Sequence, residues 1–363
     1  MVDTVVNLRG VTKRFDDVVA VKDANLEIER GELITLLGPS GCGKTTTLRM
    51  LAGFETPSQG IIEINDDNVI EMPPYERNIG MVFQHFALFP HMTVADNIAF
   101  GLKMAGTNGD EIDDRVQEVL EMVSLPDVGD RYPENLSGGQ QQRIALARSL
   151  VVEPDVLLLD EPLSSLDKKL RHEMRLEIMR LHGELDVTMI YVTHNQEEAL
   201  SMSDRMAVMD DGHIHQVGSP TEVYQEPADE FVAGFIGTAN LFGGTIDAVD
   251  DGYAITTDSE FDISAGPETS IHDDVLTVGN EVTVLLRPER LYLGHEVDGH
   301  ANQVNGTIRE ITYLGSIAEY YVTLEDGTDL QLSQPIRGSV DYQSGDEVTV
   351  GFDTDAPIVL GGK

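Results

Sequence analysis

The stretch ELITLLGPSGCGKTTTLRMLAGF, Glu32 to Phe54, limits the possible folds more than any other part of the chain. Its segment Leu33 to Leu37 reads as a buried strand, a tight glycine loop follows, and a helix starts from about Gly43. The spacing Gly38-x4-Gly43-Lys44-Thr45 is the Walker A pattern, a phosphate loop between a strand and a helix, and it places the chain in the α/β class. Glycines let backbone amides curl round β- and γ-phosphate oxygens with no side chain in the way. Gly38, Pro39, Ser40, Gly41, Cys42, Gly43 and Thr46 form this cradle. Lys44 brings a point charge to the phosphates, and the Thr45 hydroxyl is placed to hold Mg²⁺.

Such a loop needs an acidic partner on a neighbouring strand. PDVLLLDEP supplies it: Val156 to Leu159 are uniformly apolar, as in a strand covered on both faces, and Asp160 stands at the end. Asp160 is expected to bind Mg²⁺, usually through water, and Glu161 to polarise an attacking water. A solvated loop is the bland reading of an acidic pair, and the strand and phosphate loop decide against it. A second anion site is also visible. LSGGQQQRIALARSL, Leu136 to Leu150, opens a helix with a Ser hydroxyl and bare glycine amides, and Ile144, Leu146, Ala147 and Leu150 give it an apolar stripe. One nucleotide does not need two separated anion sites in one chain, which hints at a pair of chains.

The 363 residues suit two domains of ordinary size. No run approaches the ~18 apolar residues of a membrane-spanning helix. The start, MVDTVVNLRG, has no basic segment ahead of an apolar one, so no secretory signal is expected. The single cysteine, Cys42, excludes an internal disulfide and sites built on several thiolates. Acidic residues number 64 against 24 Lys plus Arg, a formal net charge of −40. Residues 240–363 hold 23 acidic and 5 basic, the remainder 41 and 19, so the surplus covers both domains and forms no tail. A site for a basic partner is one reading. The preferred one is a whole-surface acidic coat for a very salty cytoplasm, because at molar salt the Debye length is about 3 Å and self-repulsion is screened. No basic stripe exists to release counterions, so nucleic acid is not an expected partner.

The chain resembles the ATP-binding subunits of ABC transporters. The resemblance rests on Gly38–Thr45, Gln84 in MVFQHFALFP, Leu136–Gln140, Val156–Glu161, Ser165-Leu166-Asp167 and His194 in MIYVTH, and it covers residues 4–237. In that family two subunits pack head to tail around two ATP molecules, each held between the Walker A loop of one chain and the LSGGQ helix of the other. The resemblance implies that Ser137, Gly138, Gly139 and Gln140 meet the γ-phosphate held by Lys44 of the other copy. It implies that Gln84 senses Mg²⁺ and water while touching the membrane subunit, that the switch histidine His194 contacts the γ-phosphate, and that Asp167 communicates between the two sites. Phe15 sits where the family places an adenine-stacking aromatic, with a core Phe as the alternative. Cys42 occupies a variable position, chemically idle, although its place by a helix could make it a labelling handle.

The implied fold is a P-loop ABC ATPase core over residues 1–237, with a helical subdomain at about 85–154. In EIDDRVQEVLEMVSL, Val116, Val119, Leu120 and Val123 fall at helical spacing, a face more often core than interface. FALFPHMTVADNIAFGL is expected to form the groove for a coupling helix of a transmembrane subunit. Implied partners are a second copy or a similar ATPase, transmembrane permease subunits and, indirectly, an extracytoplasmic solute-binding protein. The implied place is peripheral, on the cytoplasmic face of the cell membrane.

After Gly237 the pattern changes to short alternating strands with Gly, Asp and Asn turns, and GYAITTDSEFDI reads as a hairpin. Residues 238–363 are expected to form an all-β, OB-like domain. LLRPERL and YLGSIAEYYVTLEDGT resemble the TOBE module of binding-protein-dependent importers, which serves dimer contact or regulation. An OB-like barrel can bind oligonucleotides, but its surplus of acid argues against that here. ITYLGSIAEYYVTLEDGT and GDEVTVGF most resemble importers of the spermidine/putrescine type; relatives carry sugars, ferric iron, thiamine or molybdate. The rival class is a soluble ABC ATPase acting on DNA or ribosomes. No heptad run lies between Lys44 and Asp160, and the chain has one cassette, so that class is disfavoured.

Overall fold

The computed structural model describes residues 3–259, 261–269, 276–297, 299–336 and 342–361. They divide into two compact units, Met1–Pro220 and Thr221–Lys363. In the first unit the chain runs β1 (Thr4–Phe15), β2 (Val18–Glu29), β3 (Leu33–Leu37), α1 (Lys44–Ala52), β4 (Gln59–Ile64), β5 (Asp67–Asn68) and β6 (Ile79–Val82). Three helices follow: α2 (Val94–Ala105), α3 (Gly109–Met122) and α4 (Gly138–Leu150). It ends with β7 (Val156–Asp160), α5 (Lys168–Leu185), β8 (Thr188–Thr193), α6 (Gln196–Met202), β9 (Arg205–Asp210) and β10 (His213–Gly218).

A six-stranded sheet, ordered β10-β9-β3-β8-β7-β6, is parallel except at β10. Ile34, Leu36, Val156, Leu158, Ile190 and Val192 point to one face, against α1 and the antiparallel sheet β2-β1-β4-β5. Leu33, Leu157, Leu159, Met189 and Tyr191 point to the other, against α4 and α5. Both faces are covered, so LITLL and VLLL carry no polar alternation. The strand and helix expected around the glycine loop are both present.

The helical subdomain has its own core. Val94, Ile98, Leu102, Ile112, Val116, Val119, Leu120 and Val123 from α2, α3 and the turn after α3 meet Ile144, Ala147 and Val151. The opposite face of α4 places Ala145, Leu146 and Leu150 in the core of the parallel sheet. One helix therefore serves two cores. Much of the apolar content of FALFPHMTVADNIAFGL goes inside with Val94, Ile98 and Leu102, while Phe89 and Phe100 lie half-buried, tilted 51° to each other with centroids 4.8 Å apart.

The second unit opens on α7 (Pro220–Gln225) and α8 (Glu230–Phe235). Its strands are β11 (Asn240–Val249), β12 (Tyr253–Thr257), β13 (Asp262–Ala265), β14 (Glu281–Leu286), β15 (Tyr292–Leu293), β16 (Asn302–Tyr313), β17 (Ile317–Leu324), β18 (Asp329–Pro335), β19 (Glu347–Phe352) and β20 (Pro357–Gly361). They form two five-stranded antiparallel sheets, β13-β12-β11-β14-β20 and β15-β19-β16-β17-β18. The sheets share one core, with Phe242, Ile255 and Val284 from the first and Ile308, Val322 and Phe352 from the second. GYAITTDSEFDI supplies the β12–β13 hairpin, Glu260 lying outside the described residues.

The break falls upstream of residue 237 because α7 and α8 are tied to this unit. Arg287, only 1% exposed, donates to the carbonyls of Ala233, Ile236, Thr238 and Tyr224 and lies 4.2 Å over the Tyr224 ring. Turn residues and a cation–π contact hold this segment, features that strand periodicity does not report.

Candidate active site

β3 delivers the glycine loop to the N-terminus of α1. Gly43 caps that helix at φ 110 with no side-chain cap bond, so the first amides stay free for an anion. A Cβ on Gly38 would lie 2.1 Å from the Met209 carbonyl oxygen, and one on Gly43 would lie 2.5 Å from that of Ala20. Close backbone approach thus requires both glycines. Lys44 is 4% exposed, and its Nζ donates to Gly38 O at 2.7 Å and Pro39 O at 2.8 Å, which holds the ammonium inside the loop.

Thr45 Oγ1 donates to Asp160 Oδ1 at 3.2 Å. Burial pushes the Asp160 carboxyl above its ordinary range, opposed mainly by that hydroxyl. A hydroxyl and a carboxylate at the phosphate loop are hard oxygen donors. They fit Mg²⁺, which takes few protein ligands and fills its shell with water and phosphate oxygens.

Neighbouring strands bring three further residues together. Gln84 follows β6, Glu161 follows β7 and His194 follows β8, so all stand at the carboxyl ends of parallel strands. His194 Nδ1 lies 3.2 Å from Glu161 Oε1, and Gln84 Nε2 lies 3.4 Å from Glu161 Oε2. Glu161 has φ 44, a left-handed conformation that is costly for a residue with a side chain, and its amide donates to Val192 O at 3.0 Å. Gln84 is exposed and bonds side chains, so it is not a buried amide tied to backbone. Among the described residues, its hydrogen bonds reach Glu161 and Ser164 rather than Thr45 or Asp160.

Ser137 caps α4 through a capping box: Gln140 N donates to Ser137 Oγ at 3.4 Å, and Ser137 N donates to Gln140 Oε1 at 3.0 Å. A Cβ on Gly139 would meet Leu170 at 2.6 Å, and one on Gly138 would meet Leu166 at 3.7 Å. Asp167 caps α5, accepting from Lys169 N and Leu170 N at 3.0 Å each. The signature motif therefore sits beside the Asp167 segment of its own chain. Among the described residues no hydrogen bond joins it to Lys44, Thr45 or Asp160.

Phe15 pairs with Val18 at the end of the β1–β2 hairpin, is 42% exposed, and has Lys13 Nζ 4.7 Å from its ring centroid. The core-Phe alternative is thereby removed. Cys42 is 3% exposed and burial pushes its thiol up, so the structure corrects the idea of a ready labelling handle.

Sequence reading passed over Ser164, whose hydroxyl donates to Glu161 O at 2.8 Å and accepts from Gln84 Nε2 at 3.3 Å. It also passed over Glu198, buried and accepting from Tyr191 and Thr193 hydroxyls at 2.8 Å each, with Arg171 3.8 Å away. Arg171 in turn donates to Leu166 O at 2.9 Å. Only their nearness to the motifs, in LSSLD and THNQEEA, was available as a signal.

The ABC transporter family matches residues 21–164 and the TOBE domain matches residues 284–360. The chain is similar to the spermidine/putrescine import ATP-binding protein PotA of Oleidesulfovibrio alaskensis, 46% identical over 99% of this chain and 98% of that one. PotA of Rubrobacter xylanophilus is 47% identical over 99% and 94%. Among solved structures, cbiO1 from Clostridium perfringens, part of the ABC transporter complex cbiONQ, aligns with TM-score 0.58 and 31% identity over 62% of this chain and 92% of that one. The ATP-binding cassette MJ0796, in a dimeric post-hydrolysis state bound to ADP and Pi, aligns with TM-score 0.53 and 31% identity over 59% and 98%.

Proposed function

The chain belongs to the ATP-binding subunits of ABC transporters, with a TOBE domain, and on that premise we propose that it powers import of spermidine or putrescine by hydrolysing ATP as a dimer. The observation that carries the reading is the convergence of Gln84, Glu161 and His194 beside the Thr45–Asp160 pair. The free α1 amides and Lys44 bind the β- and γ-phosphates, and Phe15 offers a face to the adenine. Thr45 and Asp160, with Gln84 as the third candidate, would hold Mg²⁺, which would supply positive charge to neutralise the phosphates. Glu161 takes the proton of the attacking water, oriented by Gln84, while His194 holds Glu161 and reaches the γ-phosphate.

Ser137, Gly138, Gly139 and Gln140 of a second copy, with Asp167 beside them, close on that phosphate. Hydrolysis then loosens the pair. Permease subunits at the cytoplasmic face of the membrane, fed by an extracytoplasmic binding protein, receive this motion. The named relatives support polyamine over sugar, ferric iron, thiamine or molybdate. The acidic coat, at −40, is read as adaptation to molar salt.

The test is uptake in a strain deleted for this gene, with labelled spermidine, glucose, ferric iron and molybdate side by side. Loss of spermidine uptake alone is expected. Loss of another solute instead would keep the motor and overturn the cargo.

A further inference from the structure

We propose that Arg148 is a positioning residue that clamps the Gln84 loop to the signature helix and so keeps Gln84 against Glu161; this rests on the ATPase reading above. Arg148 lies in the last turn of α4, the helix whose N-terminus carries Ser137 and Gly138. Its Nη1 donates to Ala87 O at 2.8 Å and its Nη2 to Phe86 O at 3.1 Å. The guanidinium also lies 5.5 Å from the Phe89 ring centroid.

The gripped carbonyls are unusual. Phe86 and Ala87 are consecutive non-glycine residues at φ 57 and φ 49, a left-handed conformation that is costly for any residue with a Cβ. A short loop bent in this way needs outside support, and the planar fork of an arginine spans both carbonyls at once. The next residue fixes the same helix end to the strand that precedes the loop: Ser149 Oγ donates to Met81 O at 2.9 Å. A Cβ on Gly80 would meet Ser149 O at 2.7 Å, so β6 and α4 are in backbone contact there. Gln84 leaves that strand end and reaches Glu161 and Ser164. The bland role for a basic residue in a last turn is to serve its own helix's carbonyls. The carbonyls that Arg148 grips, Phe86 O and Ala87 O, belong to the loop, which favours the clamp.

The experiment compares full-length wild type with Arg148→Lys, Arg148→Ala, Gln84→Ala and the Gln84→Ala/Arg148→Ala double variant. Hydrogen exchange over residues 83–90 and steady-state ATPase are measured in the same salt. Exchange at the loop should rise roughly tenfold or more in both Arg148 variants, with the sheet amides unchanged. The kcat should fall about 10- to 100-fold, with ATP affinity altered less than about twofold. In the double variant kcat should equal that of Gln84→Ala alone, because the two substitutions break one arrangement. Additive losses, an unchanged loop, or wild-type kcat in Arg148→Lys would overturn the proposal. If Arg148→Ala does not fold, Arg148→Lys and the Gln84→Ala/Arg148→Lys double variant carry each comparison. Absence of turnover in wild type would refute the ATPase reading instead, and the exchange result would still decide whether the clamp exists.

Discussion

Gly41→Ala and Gly43→Ala form a matched pair within the phosphate loop. Both glycines have positive φ, 85 and 110, so an alanine at either is strained by about 1–2 kcal/mol. The space around them differs. Nothing lies within 4 Å of a Cβ at Gly41, whereas at Gly43 it would meet Ala20 O at 2.5 Å and Val21 Cγ2 at 3.3 Å. Ala20 O is backbone of β2 and cannot turn aside as a flexible side chain can. Relief needs the loop to shift by roughly an ångström, adding about 1–3 kcal/mol of overpacking and displacing the Lys44 neighbourhood. Urea unfolding without nucleotide, which leaves ionic strength fixed, should therefore show a loss of about 1–2 kcal/mol for Gly41→Ala and about 2–5 kcal/mol for Gly43→Ala. ATP binding should also be lost in Gly43→Ala. Equal stability losses for the two would refute the reasoning from backbone contact.

Arg77 is 4% exposed and donates to Met50 O, Leu51 O and Met72 O at 2.7–2.8 Å, closing the end of α1. Arg77→Ala should cost about 3–5 kcal/mol in urea unfolding, since it leaves several carbonyls without a donor. Iodoacetamide should modify Cys42 slowly in the native chain and promptly after unfolding, because the thiol is buried with its proton held more tightly; fast native labelling contradicts this. Stability should fall when KCl is lowered from molar to millimolar, as repulsion among the charges summing to −40 is unscreened. An unchanged melting temperature on that dilution removes the salt argument.

The parallel core was legible because burial on both faces writes itself as near-continuous apolar runs, as in Val156–Leu159 and, with only Thr35 between, Leu33–Leu37. The site motifs were legible because phosphate chemistry needs small residues at fixed spacing. Ser164, Glu198 and Arg148 were not, for a common reason. Each acts through a partner distant in sequence: Ser164 on Gln84, Glu198 on Arg171, and Arg148 on Phe86 and Ala87. Serine, glutamate and arginine are ordinary on surfaces, so their type alone carries no signal. The domain break at Pro220 was hidden likewise, since α7 and α8 are held by residues remote from them in the chain, among them Arg287 and the Leu285, Ile358 and Leu360 side chains around Ala233.

The most direct test of the account is the mass of the Glu161→Gln chain with and without ATP and Mg²⁺, read by light scattering after size exclusion. The amide cannot take the water's proton, yet the phosphate loop, Thr45, Asp160 and the Ser137 helix are untouched. The account predicts a monomer without nucleotide and a stable dimer with unhydrolysed ATP. A monomer carrying bound ATP would contradict the sandwich, and with it the answer to why one chain holds two phosphate sites.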